Sequence, residues 1–248
     1  MKIVLIIPAR FKSSRLPGKP LIKILNKELI LWVLEACSKA INKKFIFVAT
    51  DNKKIFKFVT NKGFNAIMTP SNCLTGTDRV AYVAKKIHAN IYINVQGDEP
   101  LIKNKDIELI IRNKIKFKDH VICGYADIHK KNDLINTNIP KIIMNDKNNL
   151  VYASRLPIPG YKDEINKIKI KYYKQVCIYA FNKSHLNKFL NYKKKSTLET
   201  FEDIEILRFL ELNTKIKMIK INNQNLAVDV KEDIIKVENF ILKKKLKI

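Results

Sequence analysis

Five apolar residues in a row, Ile3-Val4-Leu5-Ile6-Ile7, end at Pro8 and open into P-A-R-F-K-S-S-R-L-P-G-K-P, which closes at Pro20. An apolar run this short reads as a buried strand. The segment after it carries Arg10, Lys12, Arg15 and Lys19, with the hydroxyls of Ser13 and Ser14. In an open α/β sheet that strand edge is where ligands bind. Arginine, lysine and backbone N–H groups are what a polyphosphate needs. Pro17 and Pro20 stiffen the loop, because each ring fixes φ and restricts the residue before it. Gly18 lets the backbone turn between them. An ordinary basic surface loop is the alternative, but cations interleaved with two prolines straight after a buried strand favour a phosphate site. Pro8, Ala9, Arg10, Ser14, Arg15 and Lys19 are the candidate contacts.

The pattern then alternates. A helix is predicted over about 27–40, with Leu29, Trp32, Val33 and Ala36 on its apolar face and Trp32 in the core. A strand over 45–49 follows, then a helix capped by Asp51 or Asn52, then a short strand over 65–68. Leu74-Thr75-Gly76-Thr77-Asp78-Arg79 opens a helix reaching about His88. Gly76 between two threonines exposes N–H groups and hydroxyls to a ligand, although a plain capped helix start would look the same. A strand over 91–95 ends in Gln96-Gly97-Asp98-Glu99-Pro100. A carboxylate directly after a buried strand, with Gly97 giving backbone room, suits Mg²⁺, which takes one or two carboxylates with waters and phosphate oxygens. Asp98 is the candidate ligand and Glu99 an orienting residue.

This order predicts an α/β fold with a right-handed, mostly parallel, Rossmann-like twisted sheet flanked by helices. It is not the usual dinucleotide fold, since six glycines include neither G-x-G-x-x-G nor a Walker sequence. Phosphates then fall mainly to side-chain cations.

Further on, a helix is expected over 106–116, a strand over 121–128, a polar connection over 130–138 and a hairpin from 139–144 and 150–153. Arg155, braced by Pro157 and Pro159, is a candidate for gripping an acidic substrate group. A strand over 173–181 precedes a helix over 182–192. Residues 198–211 read as one amphipathic helix with Phe201, Ile204 and Leu207 inward. Glu202 and Glu205, three apart, share a face of it. They could receive ligand hydroxyls or be solvated, and Glu205 could pair with Arg208. After a strand over 216–221, Asp229 stands just before the last helix, where Ile234, Val237 and Ile241 face inward. It fits an N-cap, which does not forbid a second role.

At 248 residues and 46% hydrophobic composition, the chain suits one large domain over 1–248, with about 121–181 as a β-rich subregion. No apolar run approaches the ~20 residues of a membrane span. No signal peptide is visible, so a cytoplasmic location is expected. Cys37, Cys73, Cys123 and Cys177 form no C-x-x-C pair and read as buried free thiols. The net charge of +25 would suit nucleic acid or an acidic membrane face. Yet lysine is diffuse and accompanied by abundant asparagine and isoleucine, as AT-rich codons would give. The exception is the tail over 243–247, a solvated helix end. A nucleic-acid binder needs a continuous basic face with aromatic stacking residues, so neither nucleic acid nor membrane insertion is expected.

Five landmarks occur in order: P-A-R-F-K-S-S-R-L-P-G-K-P, T-G-T-D-R, N-V-Q-G-D-E-P, S-R-L-P-I-P and A-V-D-V-K-E-D. Together they resemble the 3-deoxy-manno-octulosonate cytidylyltransferases (CMP-KDO synthetases) over essentially the whole chain. The resemblance implies a nucleotide-diphospho-sugar transferase fold, CTP and a 3-deoxy-2-ulosonic acid as substrates, Mg²⁺, and a homodimer built by the middle region. It puts Thr75, Gly76, Thr77 and Arg79 near the nucleotide, and pairs Asp229 with Asp98 on the metal. It puts Gln96, Arg155, Gln175, Tyr179, Glu202 and Glu205 near the sugar. Arg10, Lys19, Asp98 and Asp229 are the implied catalytic set. Two departures lie on the sugar side. Gln175 replaces a usual histidine, and Ile206 replaces a usual glutamine, which leaves a modified or amino-substituted ulosonic acid as an alternative acceptor.

Overall fold

In the computed structural model, which describes residues 1–12, 15–160, 170–221 and 226–245, the apolar runs assemble into one nine-stranded sheet. Its centre is β1 (Ile3–Pro8), with β4 (Ile46–Thr50) on one side and β6 (Ile91–Val95) on the other, both parallel to it. β5 (Asn65–Met68) extends the parallel half beyond β4. Past β6 the order is β10 (Tyr172–Phe181), β7 (Val121–Ile128) and β11 (Ile216–Lys220). β10 runs antiparallel to both of its neighbours, and β11 is parallel to β7. A hairpin of β8 (Lys141–Met144) and β9 (Leu150–Ser154) pairs with the edge of β10. The sheet is thus mixed but mostly parallel, as the strand–helix alternation predicts. β7 and β10 belong to the main sheet, so within the β-rich region only the β8–β9 hairpin projects from it. A small ribbon of β2 (Lys23–Ile24) and β3 (Lys27–Glu28) stands apart, so the first helix starts at Leu29 rather than at residue 27.

Period-two alternation divides the core between the faces. Leu5 and Ile7 of β1 pack under α1 (Leu29–Ala40), α2 (Lys53–Asn61), α4 (Asn104–Lys116) and α9 (Lys231–Lys245). Val4 and Ile6 pack under α3 (Gly76–Lys86), α6 (Lys183–Asn191), α7 (Thr197–Glu202) and α8 (Ile206–Glu211). Trp32 is half-buried at the rim of the first cluster, donating through Nε1 to the Ile24 carbonyl at 3.2 Å. Asn52 caps α2 by accepting from Lys54 N at 2.8 Å. The polar connection over 130–138 contains the short helix α5 (Lys131–Ile135).

One predicted element divides. Residues 198–211 form two helices, because Asp203 adopts a left-handed backbone, φ 49°, a conformation aspartate tolerates better than most residues. The turn at Asp203 leaves Phe201 80% exposed, not inward, while Ile204, Leu207 and Arg208 are buried. Among the described residues no helix is long and apolar enough to cross a membrane.

Candidate active site

The carboxyl ends of β1 and β6 lie side by side, because the two strands are paired from Ile3 opposite Ile91 through Ile6 opposite Asn94. Gly97 is what lets the chain leave β6 so close to β1. A Cβ at Gly97 would lie 2.9 Å from the Pro8 carbonyl oxygen, closer than a backbone neighbour permits. The loop after β1 doubles back at Gly18, whose N–H donates to the Phe11 carbonyl at 2.9 Å and whose φ is 69°. Pro20 is buried directly after it, so Lys19 is carried on rigid backbone.

Asp229 reaches the same place from the far end of the chain. Val228 is fully buried, and its N–H donates to the Asp98 carbonyl at 2.9 Å. Asp229 is not the cap of α9. It stands two residues before Lys231, where α9 begins, and its N–H and that of Val230 donate to Asp233 Oδ2 at 3.0 and 3.1 Å. The Asp229 carboxylate is thereby left to the cleft.

Lys19 joins the two aspartates. Its Nζ donates to Asp98 Oδ2 at 2.8 Å and to Asp229 Oδ1 at 3.2 Å. Burial opposes the lysine's charge, but the two carboxylates outweigh it and hold Lys19 above the ordinary lysine range. Arg15 also donates to Asp229 Oδ1, at 3.1 Å, and to Asn138 Oδ1 at 3.0 Å. Two carboxylates turned toward one cation position are a donor set that fits Mg²⁺, with remaining positions left to water and phosphate oxygens. Among the described residues no group of three or more histidines, cysteines and acids forms a metal cluster.

A cleft of about 370 Å³ opens above this pair. Pro8, Ala9, Arg10, Arg15, Lys19, Thr75, Gly76, Arg79, Gln96, Asp98, Arg155, Gln175, Tyr179, Glu205 and Asp229 all line it. Ser14, like Ser13, lies outside the described residues. Thr77 and Glu202 do not line the cleft. Thr77 is buried and gives its N–H to Glu205 Oε2 at 2.9 Å. Glu202 faces β9, accepting from Arg155 N at 2.8 Å and Tyr152 OH at 3.2 Å. The break at Asp203 is the reason, since it takes Glu202 and Glu205 off a common helix face.

The start of α3 is rigidly built. Thr75 and Asp78 form a capping box, with Thr75 N donating to Asp78 Oδ2 at 2.8 Å and Asp78 N to Thr75 Oγ1 at 3.2 Å. Arg79 spends its guanidinium on Asp51, Thr69 and the Pro70 carbonyl, so it braces this wall more than it offers charge. Glu205 crosses to the same segment through Thr77 and accepts from Gln96 Nε2 at 3.1 Å. Burial raises the Glu205 pKa against the opposing hydrogen bonds from Thr77 and Thr75. Glu205 does not pair with Arg208. That fully buried guanidinium goes to Glu199 at 2.6 and 2.7 Å and to Asp78 at 3.0 Å.

On the opposite wall, Arg155 donates to the carbonyls of Thr137, Glu202 and Asp203. Beneath it Lys141 is fully buried, its ammonium on the carbonyls of Asn136, Ile139 and Arg155. Gln175 Nε2 donates to Tyr179 OH at 3.1 Å. A register shift between Val176 and Tyr179 shortens a separation that four residues of regular strand would put at ~13 Å. Burial holds the Tyr179 hydroxyl well above the usual phenol range, so it stays a neutral hydrogen-bonding group. Sequence reasoning missed Asn138, Lys195 and Asp203 in the lining, and also Cys73 and Cys177, which are half-buried rather than buried.

Comparison with known proteins bears on the family and the fold. The cytidylyltransferase family model matches residues 4–219. A 3-deoxy-manno-octulosonate cytidylyltransferase of Chloroherpeton thalassium is 36% identical over 253 residues, covering all of both chains. One from Fusobacterium nucleatum is 36% identical over 255 residues, again covering both completely. Among solved structures, CMP:2-keto-3-deoxy-manno-octonic acid synthetase complexed with CTP superposes with a TM-score of 0.89 at 32% identity, covering 98% of this chain and 100% of that one. A solved structure from Bacillus anthracis, at 12% identity, shares the fold with a TM-score of 0.66, covering 96% of this chain and 94% of its own.

Proposed function

The chain belongs to the 3-deoxy-manno-octulosonate cytidylyltransferase family, and from that premise we propose that it activates 3-deoxy-D-manno-octulosonate (KDO) with CTP, giving CMP-KDO and pyrophosphate for surface-polysaccharide synthesis. The anomeric hydroxyl attacks the α-phosphorus of CTP, and the bond from that phosphorus to the bridging oxygen breaks. The observation that carries the reading is the convergence of Lys19 with Asp98 and Asp229 at the strand edge below the cleft.

In this reading Arg10, Arg15 and Lys19 neutralise the triphosphate and then the leaving pyrophosphate. Asp98 and Asp229 would hold Mg²⁺, which would supply Lewis-acid stabilisation of the charge that develops at the reacting phosphate. Gly76 and the capped start of α3 carry the nucleotide wall. Arg155 attracts the sugar carboxylate, and Gln96, Gln175, Tyr179 and Glu205 meet sugar hydroxyls. Most of the acceleration is positioning and electrostatics, since phosphoryl-type transfer asks for little covalent chemistry. Full-length similarity to enzymes named for KDO does not favour the amino-substituted sugar as acceptor.

The molecule acts in the cytoplasm, where CTP is supplied, and as a homodimer. Val151 (50%) on β9 and Leu156 (65%) just after it are exposed apolar side chains, which a second copy would cover. Pyrophosphate release, measured with each of four nucleoside triphosphates against a panel of 2-keto-3-deoxy acids, tests the function. The CTP–KDO pair is expected to give the highest kcat/KM, and preference for another nucleotide or another acid would displace the reading.

A further inference from the structure

Lys19 and a divalent cation want the same carboxylate oxygens. The ammonium is hydrogen-bonded to both aspartates at once, at 2.8 and 3.2 Å, and its side chain is only 13% exposed. The Arg15 guanidinium adds a second positive charge on Asp229. A small cation that needs ligand oxygens at about 2.1 Å cannot enter between these oxygens while the ammonium stays, for reasons of space and of like-charge repulsion. Lys19 is also a long side chain on rigid backbone, between Gly18 and the buried Pro20, so its head can swing while its root does not move.

We propose that Lys19 is a place-holder for the divalent cation, so that metal and nucleoside triphosphate enter together and neither enters well alone. The triphosphate offers the ammonium stronger anionic partners than the carboxylates. Once Lys19 has turned to the phosphates, Asp98 and Asp229 are released to the metal. Because coupling between two ligands is reciprocal, the metal strengthens triphosphate binding by the same factor. The inference rests on the reading of Asp98 and Asp229 as the metal pair, but it adds an order to the assembly of the site and a sign that a merely phosphate-binding lysine would not have. Removing such a lysine would leave metal binding alone untouched. Removing a place-holder makes the metal bind more tightly.

The test is Mn²⁺ binding to the folded protein, followed by the loss of free-ion electron spin resonance signal, for wild type, Lys19→Met, Lys19→Gln and Asp98→Asn. Each is titrated without nucleotide and with CTP, in the absence of any sugar so that no turnover occurs; the signal lost to free CTP is subtracted. Without CTP, both Lys19 variants are expected to bind Mn²⁺ on the order of tenfold more tightly than wild type, a change usual for coupled sites. CTP is expected to tighten Mn²⁺ binding in wild type and to do so much less in the variants. Equal Mn²⁺ affinity of wild type and both Lys19 variants, with Asp98→Asn still abolishing binding, would overturn the place-holder and leave the metal pair standing. Unchanged binding in Asp98→Asn would overturn the metal pair itself.

Discussion

Replacing Arg208 by methionine puts the most strained arithmetic of this fold to the test. Arg208 is wholly buried, and three charge-assisted bonds link it to Glu199 and Asp78. Its guanidinium lies 3.7 Å from the centre of the Phe189 ring. Glu199 is fully buried and Asp78 is 6% exposed, so neither finds water when the cation goes. Methionine refills most of the volume and keeps contact with the ring, which isolates the electrostatic loss. Breaking a buried pair by removing one partner costs about 3–5 kcal/mol, a large part of the ~5–15 kcal/mol that stabilises a domain. Equilibrium urea unfolding followed by circular dichroism is the assay. The midpoint should fall sharply in Arg208→Met, and Glu199→Gln in the same background should recover part of the loss, because an amide costs less to bury than an unpaired carboxylate. A cost below about 1 kcal/mol, the range of an exposed pair, would refute the reasoning. So would a further loss on adding Glu199→Gln.

Two other outcomes follow from the structure. Gly97→Ala places a methyl 2.9 Å from the Pro8 carbonyl oxygen and 3.4 Å from Ile7 and Ile30; unfolding should show about 1–3 kcal/mol of overpacking cost, and pyrophosphate release should fall because Asp98 is displaced; unchanged stability and rate would contradict it. His185 is held neutral by burial, its pKa lowered to about 4, while Nδ1 faces the Asn182 N–H. The unfolded chain binds that proton below its ordinary value near 6.5, so this contribution to stability is complete above pH 6.5 and is lost as pH falls toward 4. Urea midpoints across pH 4–8 should therefore slope less in His185→Gln, and an identical slope would count against it.

The early half of the chain was open to inspection because its signals are local. The apolar run before Pro8, a helix cap at Asp51 or Asn52 and a helix start at Thr75-Gly76 each declare themselves within a few residues. So did the cations of the first loop and the acid after β6. What stayed hidden depends on distance in sequence. Nothing near Arg208 indicates that its partner is Asp78, 130 residues away, when Glu205 stands closer in the chain. Lys114 and Lys141 look like surface lysines, yet both are buried, because backbone carbonyls satisfy their ammonium groups. Burial brings the Lys114 pKa down to about 8. The spacing of Phe201, Ile204 and Leu207 obeys a helical period, and only the left-handed turn at Asp203, which no glycine announces, takes Phe201 out of the core. The bond between Gln175 and Tyr179 required a strand irregularity that the alternation of β10 does not betray.

The most direct trial of the whole account is pyrophosphate release from CTP and KDO at saturating Mg²⁺ by Asp98→Asn and Asp229→Asn, each shown to unfold at the wild-type urea midpoint or above. If these carboxylates hold the cation beside the cationic loop, each change lowers kcat on the order of a hundredfold or more, as loss of a principal electrostatic group does. Turnover near the wild-type rate in either variant would contradict it.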